Sequence, residues 1–190
     1  MSVTAVVTLV VLFFLAVYAV SIYNGLVRVK HGVTKAWSNI DVLLKQRHDE
    51  LPKLVETCKQ YMQHERTTLE QVISARNAVS SARERGDVSA VGQAESGLRA
   101  GLGQLFALAE NYPQLKANES FQFLQQRISG LENGIADRRE LYNEAANINN
   151  VRVEQFPDVV VARAFNFKPA DLLEFSDAEK ADVDVKALFN

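Results

Sequence analysis

The side chains best suited to hold a metal or attack a substrate are three histidines, His31, His48 and His64, and one cysteine, Cys58. A di-iron helical bundle needs two Glu-x-x-His pairs. Here the residues three before the histidines are Arg28, Lys45 and Tyr61, so that site is absent. A His-Glu-x-x-His zinc site fails too, because His64-Glu65 continues as Arg66-Thr67-Thr68. The chain has no P-loop, no dinucleotide-binding glycine pattern and no Gly-x-Ser-x-Gly turn. A single cysteine excludes an intrachain disulfide framework and a cysteine-based zinc site. Cys58 falls on an apolar seam and reads as a small buried hydrophobe. His48 and His64 read as helix-surface or hydrogen-bonded residues. No catalytic residue, metal or cofactor is implied, and the chain reads as a non-enzyme.

More informative are polar residues on an otherwise apolar seam: Arg47, Glu65, Arg76, Arg138 and Asn149. A buried charge costs several kcal/mol unless it is paired. These residues should therefore find partners among themselves or with Asp41, Asp49 and Glu132. The expected result is a buried polar network of Asp41, Arg47, Glu65, Arg76, Arg138 and Asn149 that fixes the register between helices. A small ligand- or signal-sensing pocket in the seam is the alternative.

The elements that must position these groups follow from spacing. From Val33 the series Trp37, Ile40, Leu44, Arg47, Leu51, Leu54, Cys58, Tyr61, Glu65 alternates four and three. After a one-residue slip it resumes at Leu69, Val72, Arg76 and Val79. This predicts one long helix ending near Arg85, kinked or restarted at Pro52. Arg85-Gly86-Asp87 reads as a helix end followed by a helix start, not as an adhesion tripeptide. A second helix carries Leu98, Leu102, Leu105, Ala109 and Tyr112 and stops at Pro113. Asn118 caps a third, with the seam Phe121, Leu124, Ile128, Leu131, Ile135, Arg138, Tyr142, Ala145, Asn149, ending at Phe156-Pro157. That cap, rather than a glycosylation sequon, accounts for Asn118-Glu119-Ser120. Short connections between long helices make antiparallel neighbours. The expectation is an all-α, elongated antiparallel bundle of three or four long helices, the number depending on Pro52.

The N-terminal stretch differs in kind. No charged side chain precedes Arg28, and Val3–Ile22 is 20 residues dense in Val, Leu, Ala and Phe. As a helix it spans about 30 Å, the thickness of a bilayer's hydrocarbon core. A cleaved signal peptide is the rival, with Val17-Tyr18-Ala19 as a passable site, but no Lys or Arg precedes the apolar run. Tyr18 and Tyr23 suit the headgroup level, and Arg28, Lys30 and Lys35 form a basic collar suited to anionic lipid. Those charges, on one side only, predict a short N-terminus outside and the remainder in the cytoplasm.

Three regions result: an anchor over 1–24, a helical bundle over 25–157 and an acidic tail over 158–190. In the tail, Val159-Val160-Val161 and Phe165-Asn166-Phe167 are apolar enough to dock or form a short strand. Leu172, Leu173 and Phe175 are expected to tuck onto the bundle. Charge is balanced, 21 Lys+Arg against 23 Asp+Glu for a net of −2. That argues against a nucleic-acid partner held by bulk basic charge.

Together these residues resemble the LemA family of bacterial membrane-anchored proteins. The matching motifs are Tyr23-Asn24-x-Leu26-Val27, Ala36-Trp37-Ser38-Asn39-Ile40-Asp41-Val42, Leu51-Pro52-x-Leu54-Val55 and Tyr61-x-x-His64-Glu65. Further along come Tyr112-Pro113-x-Leu115-Lys116-Ala117, Arg138-Arg139-x-x-Tyr142-Asn143 and Phe156-Pro157. The chain departs from the family at Asn149-Asn150, where a second Tyr-Asn is usual, and in its short acidic end. The resemblance implies one N-terminal membrane helix and an all-α bundle, and carries over no catalytic residue. The functional expectation is a membrane-anchored helical scaffold at the bacterial inner membrane. It would act by homo-oligomerisation, on anionic lipid, with a second membrane protein as a further partner.

Overall fold

A computed structural model describes residues 2–174. It contains six helices: α1 (Val3–Lys59), α2 (Arg66–Glu84), α3 (Val88–Ala109), α4 (Pro113–Lys116), α5 (Glu119–Glu154) and α6 (Asp158–Ala164). No strand occurs among the described residues, so the fold is all-α as expected. The chain falls into two compact units. Unit 1 combines residues 1–39 with 140–172, and unit 2 combines residues 40–139 with the chain from Leu173.

In unit 2 the seam residues Ile40, Leu44, Leu51, Leu54 and Cys58 of α1 are buried together with Leu69, Val72 and Val79 of α2. Leu98, Leu102 and Leu105 of α3 and Phe121, Leu124, Ile128 and Ile135 of α5 complete the core. The junction at Arg85-Gly86-Asp87 is a helix end and a helix start, as its residues predict. Gly86 adopts φ 67°, its N–H donates to the Arg83 carbonyl at 3.0 Å, and the Asp87 N–H donates to the Ala82 carbonyl at 3.2 Å. That pair of bonds satisfies carbonyls the ending helix leaves open, and glycine adopts the left-handed conformation without Cβ strain. The Asp87 carboxylate then caps α3, accepting from the Ala90 N–H at 2.9 Å. Asn118 caps α5 the same way, accepting from the Phe121 N–H at 3.0 Å.

One boundary differs from the spacing argument, and Pro52, read there as a kink or a restart, divides no helix. Pro52 lies inside α1, and the break comes instead at residues 60–65. Proline leaves the carbonyl four residues earlier without its helical donor. Here that carbonyl belongs to His48, and Arg76 Nε of α2 donates to it at 3.0 Å. A side chain from the next helix thus replaces the missing N–H. The break at 60–65 contains no glycine or proline. Its turns close through the Cys58 carbonyl, which accepts from Tyr61 and Met62 at 3.0 and 2.8 Å. The one-residue slip of the seam between Glu65 and Leu69 was its sequence trace.

In unit 1, Ile22 and Leu26 of α1 pack with Val161 and Ala162 of α6, flanked by Val153 and Phe167. Val159–Val161 therefore form helix, not strand, and dock through Val161. Trp37 meets Tyr142 edge-on at 5.5 Å. After α6 the chain is held along α5 by side chains: Asn150 donates to the Ala170 carbonyl at 2.9 Å and accepts from its N–H at 2.7 Å. Asn149 donates to the Lys168 carbonyl at 3.2 Å, and Tyr142 to the Asp171 carbonyl at 2.8 Å. Asparagine at 149 and 150 thus clamps backbone, which suits an amide carrying both donors and acceptor. Leu173, in unit 2, is buried as expected, whereas Leu172 is exposed and Phe175 lies outside the described residues.

Candidate functional site

Two features carry functional weight: an ion-pair cluster inside unit 2, and an uncovered apolar segment in unit 1. The cluster is centred on Arg47 of α1, only 2% exposed. Its Nη2 donates to Glu95 of α3, and its Nη1 lies 3.8 Å from Glu132 of α5. One guanidinium therefore ties three helices of the unit. Burial raises the Glu132 pKa above the usual carboxylate value, against the lowering effect of the Arg47 charge. Glu95 takes the close contact and Glu132 the longer one, so Glu132 is the less compensated acid. The cavity beside the cluster, lined in part by Leu44, Val91, Ser96 and Ile135, has a volume of about 10 Å³. That is room for one water at most.

The other seam residues do not join this cluster. Asp41 pairs at the surface with Arg83 at 3.5 Å. Glu65 accepts from the Tyr112 hydroxyl at 3.2 Å, next to Tyr61, whose hydroxyl accepts from Asn118 at 3.2 Å. Arg76 serves the His48 carbonyl, and its Nη2 is 2.7 Å from His48 Nε2. Arginine can only donate, so that ring nitrogen accepts and the imidazole is neutral. Burial, then the Arg76 charge, lowers the His48 pKa to match. Arg138 is exposed, and its neighbour Arg139 is the buried residue. Likewise Ala146, not Ala145, is buried. The seam of α5 takes an extra step of four after Ile135, the drift expected when a 3.6-residue helix is read with a 3.5-residue rule. Glu95 was missed altogether, yet stepping back from Leu98 by three and then four reaches Glu95 and Val91. Cys58 is buried, and that burial pushes its thiol pKa up to about 12, so it stays protonated and unreactive.

The second feature is the start of α1. From residue 6 to residue 21 every side chain is exposed, Leu12, Phe13 and Phe14 among them. It is the one helix among the described residues long and apolar enough to cross a membrane. Within it Thr8 returns its hydroxyl to the Thr4 carbonyl at 2.9 Å, which keeps that polar group internally bonded. Of the residues assigned to a membrane boundary, Tyr18 is exposed, and Tyr23 stacks edge-on against Phe165 at 4.9 Å and Phe167 at 5.7 Å. Arg28, Lys30 and Lys35 are exposed, and the Lys30 ammonium lies 5.9 Å from the Phe167 ring centre.

A chain helical throughout its core, whose first helix opens on a charge-free, exposed apolar stretch of this length, is a membrane-associated helical protein. It belongs to the LemA family, whose model matches residues 36–187. It is 26% identical over 167 residues to Protein LemA of Metamycoplasma hominis, covering 88% of this chain and 75% of that one. It is also 29% identical over 96 residues to magnetosome protein MamQ 2 of Paramagnetospirillum magneticum, 50% of this chain and 35% of the relative. A shorter match, 29% over 75 residues, is to magnetosome protein MamQ of Magnetospirillum gryphiswaldense, 40% of this chain and 28% of that one. The chain thus spans only about a third of the length of the magnetosome relatives it matches.

Proposed function

We propose that this protein is a non-enzymatic, membrane-anchored helical scaffold that acts by homo-oligomerisation and by protein and membrane interaction at the bacterial inner membrane. The observation that carries the reading is the apolar helical stretch Val3–Ile22, exposed at every residue from 6 to 21 among the described residues, and followed by Arg28, Lys30 and Lys35. Only lipid removes that much apolar surface from water without a protein partner. The collar meets anionic headgroups, and its one-sided charge puts the N-terminus outside and the helices of unit 2 in the cytoplasm.

A ligand-sensing role through the seam has weaker support. Arg47, Glu95 and Glu132 spend their charge on one another, and the adjoining 10 Å³ cavity is too small for a metabolite. Chemical crosslinking in native membranes, followed by mass spectrometry, tests the scaffold reading. A ladder of this chain, alone or with one reproducible membrane protein, is the expected result. A strictly monomeric chain without membrane neighbours would contradict it.

A further inference from the structure

The C-terminal end of unit 1 carries large apolar side chains that its own packing leaves in the open. Phe156 is 83% exposed, Val160 61% and Phe165 63%, all within ten residues. Isolated exposed hydrophobes are ordinary, but three within ten residues leave this end of the unit with apolar surface that calls for a partner. What distinguishes this patch is its depth along α1. Helix α6 packs through Val161 and Ala162 on Ile22 and Leu26. Ile22 ends the apolar span, and Leu26 is about 6 Å further along the helix axis. Phe165 and Phe167 both stack on Tyr23.

The attachment at that level is built with care for charge. Arg152 of α5 donates through Nε to Asp158, a residue 5% exposed at the start of α6, and Gln155 donates to the same oxygen at 3.3 Å. The Arg152 guanidinium lies against Gly25, where an added Cβ would stand 2.7 Å from Nη2. Glycine at 25 thus admits a paired, neutralised arginine against the helix just beyond the span. The exposed bases Arg28, Lys30, Arg163 and Lys168 belong to the same stretch of the unit.

We propose that α6 with Phe156, Val160 and Phe165 is a second membrane contact, an interfacial foot that inserts into the headgroup–acyl boundary of the bilayer that α1 crosses. The inference rests on the reading of Val3–Ile22 as a bilayer span. The headgroup layer adds roughly 5–7 Å on each side of the hydrocarbon core, which is the depth at which α6 packs against α1. Aromatic rings edged by Lys and Arg are the side chains that layer favours. The chain would then grip one membrane face at two points distant in sequence, which fixes the orientation of unit 1 on the bilayer.

The test uses the full chain in phosphatidylcholine–phosphatidylglycerol vesicles, with Trp37→Phe removing the native indole. Phe156→Trp and Phe165→Trp are reporters at exposed positions where the larger ring meets little resistance, and Phe14→Trp reports on the span. Lipids carrying a nitroxide at a shallow or a deep acyl position quench nearby indoles. The foot predicts loss of Phe156→Trp and Phe165→Trp emission that is greater with the shallow label, alongside deep-label quenching of Phe14→Trp. Deep quenching of Phe14→Trp with neither C-terminal reporter affected would overturn the foot alone. Blue-shifted but unquenched C-terminal emission would also overturn it, by showing that protein covers the patch. No quenching of Phe14→Trp would overturn the span and the foot together.

Discussion

The same residue types behave in opposite ways in two regions of this molecule. Phe121, in the core of unit 2, is 1% exposed, whereas Phe13, early in α1, is 64% exposed. Arg47 sits inside unit 2 among acids, while the first 27 residues carry no charge at all. Each arrangement would be an error in the other's surroundings. Unit 2 is a solution to water: apolar surface turned inward and the buried Arg47 held by acids. The start of α1 is a solution to hydrocarbon, where outward apolar surface costs nothing and an outward charge costs much. The difference is what the proposed anchor requires, one stretch suited to lipid and one to water, both of them parts of α1.

Charge placed in the apolar segment should have the largest effect. Val10→Arg combined with Phe13→Arg costs roughly 5–7 kcal/mol of insertion free energy on a translocon scale. The double variant is expected in the soluble fraction after carbonate extraction of membranes, with its far-ultraviolet helical signal retained. Removal of charge from unit 2 breaks the comparison from the other side. Arg47→Leu strands Glu95 and Glu132 and should cost about 3–5 kcal/mol in urea unfolding of the full chain in detergent micelles. Replacing all three by leucine should recover most of that loss, since a buried ion pair is seldom more stabilising than apolar packing.

A smaller effect isolates the proline repair in α1. Arg76→Leu leaves the His48 carbonyl without its donor and should destabilise by about 1–3 kcal/mol. In a Pro52→Ala background the helix supplies its own N–H to that carbonyl, so the same substitution should cost measurably less. A double-mutant cycle reads the difference directly. The smallest effect is on pH dependence. Burial and the Arg76 charge hold His48 below its ordinary value of 6.5. The unfolded chain therefore takes up that proton more readily than the native state. The contribution of His48 to stability is complete above that ordinary value and is lost as pH falls from it through the lowered one. His48→Gln should flatten the slope of stability on the acid side of that ordinary value.

Periodicity made most of the helical core of unit 2 legible, because burial on a helix follows a nearly fixed spacing. Gly86-Asp87 and Asn118 also announced their turns, since few residues can perform those cap geometries. The sequence was a poorer guide where tertiary contacts decide. Pro52 left a kink and a restart equally open, and the choice rests on Arg76, which bonds the carbonyl the proline frees. The turn at 60–65 is held through Tyr61 and Glu65 by Asn118 and Tyr112, residues 57 and 47 positions away. Polar seam residues were recognisable as a set, and Glu132 stood among the acids expected to meet them, but the other partners were not. Arg76 found a backbone carbonyl and a histidine rather than an acid, and Arg47 found Glu95, which the seam of α3 reaches only when it is carried back from Leu98. The packing of α6 on α1 was invisible, because nothing local reveals that Tyr23 will meet Phe165, 142 positions later.

The most direct test of the central claim is the sidedness of α1 in living cells. Single cysteines, Ser2→Cys or Ser38→Cys in a Cys58→Ala background, can be labelled with a membrane-impermeant maleimide before and after permeabilisation. The account predicts that Ser2→Cys reacts in intact cells and that Ser38→Cys reacts only once the inner membrane is opened. Equal reactivity of the two sites, or the reverse order, would contradict it.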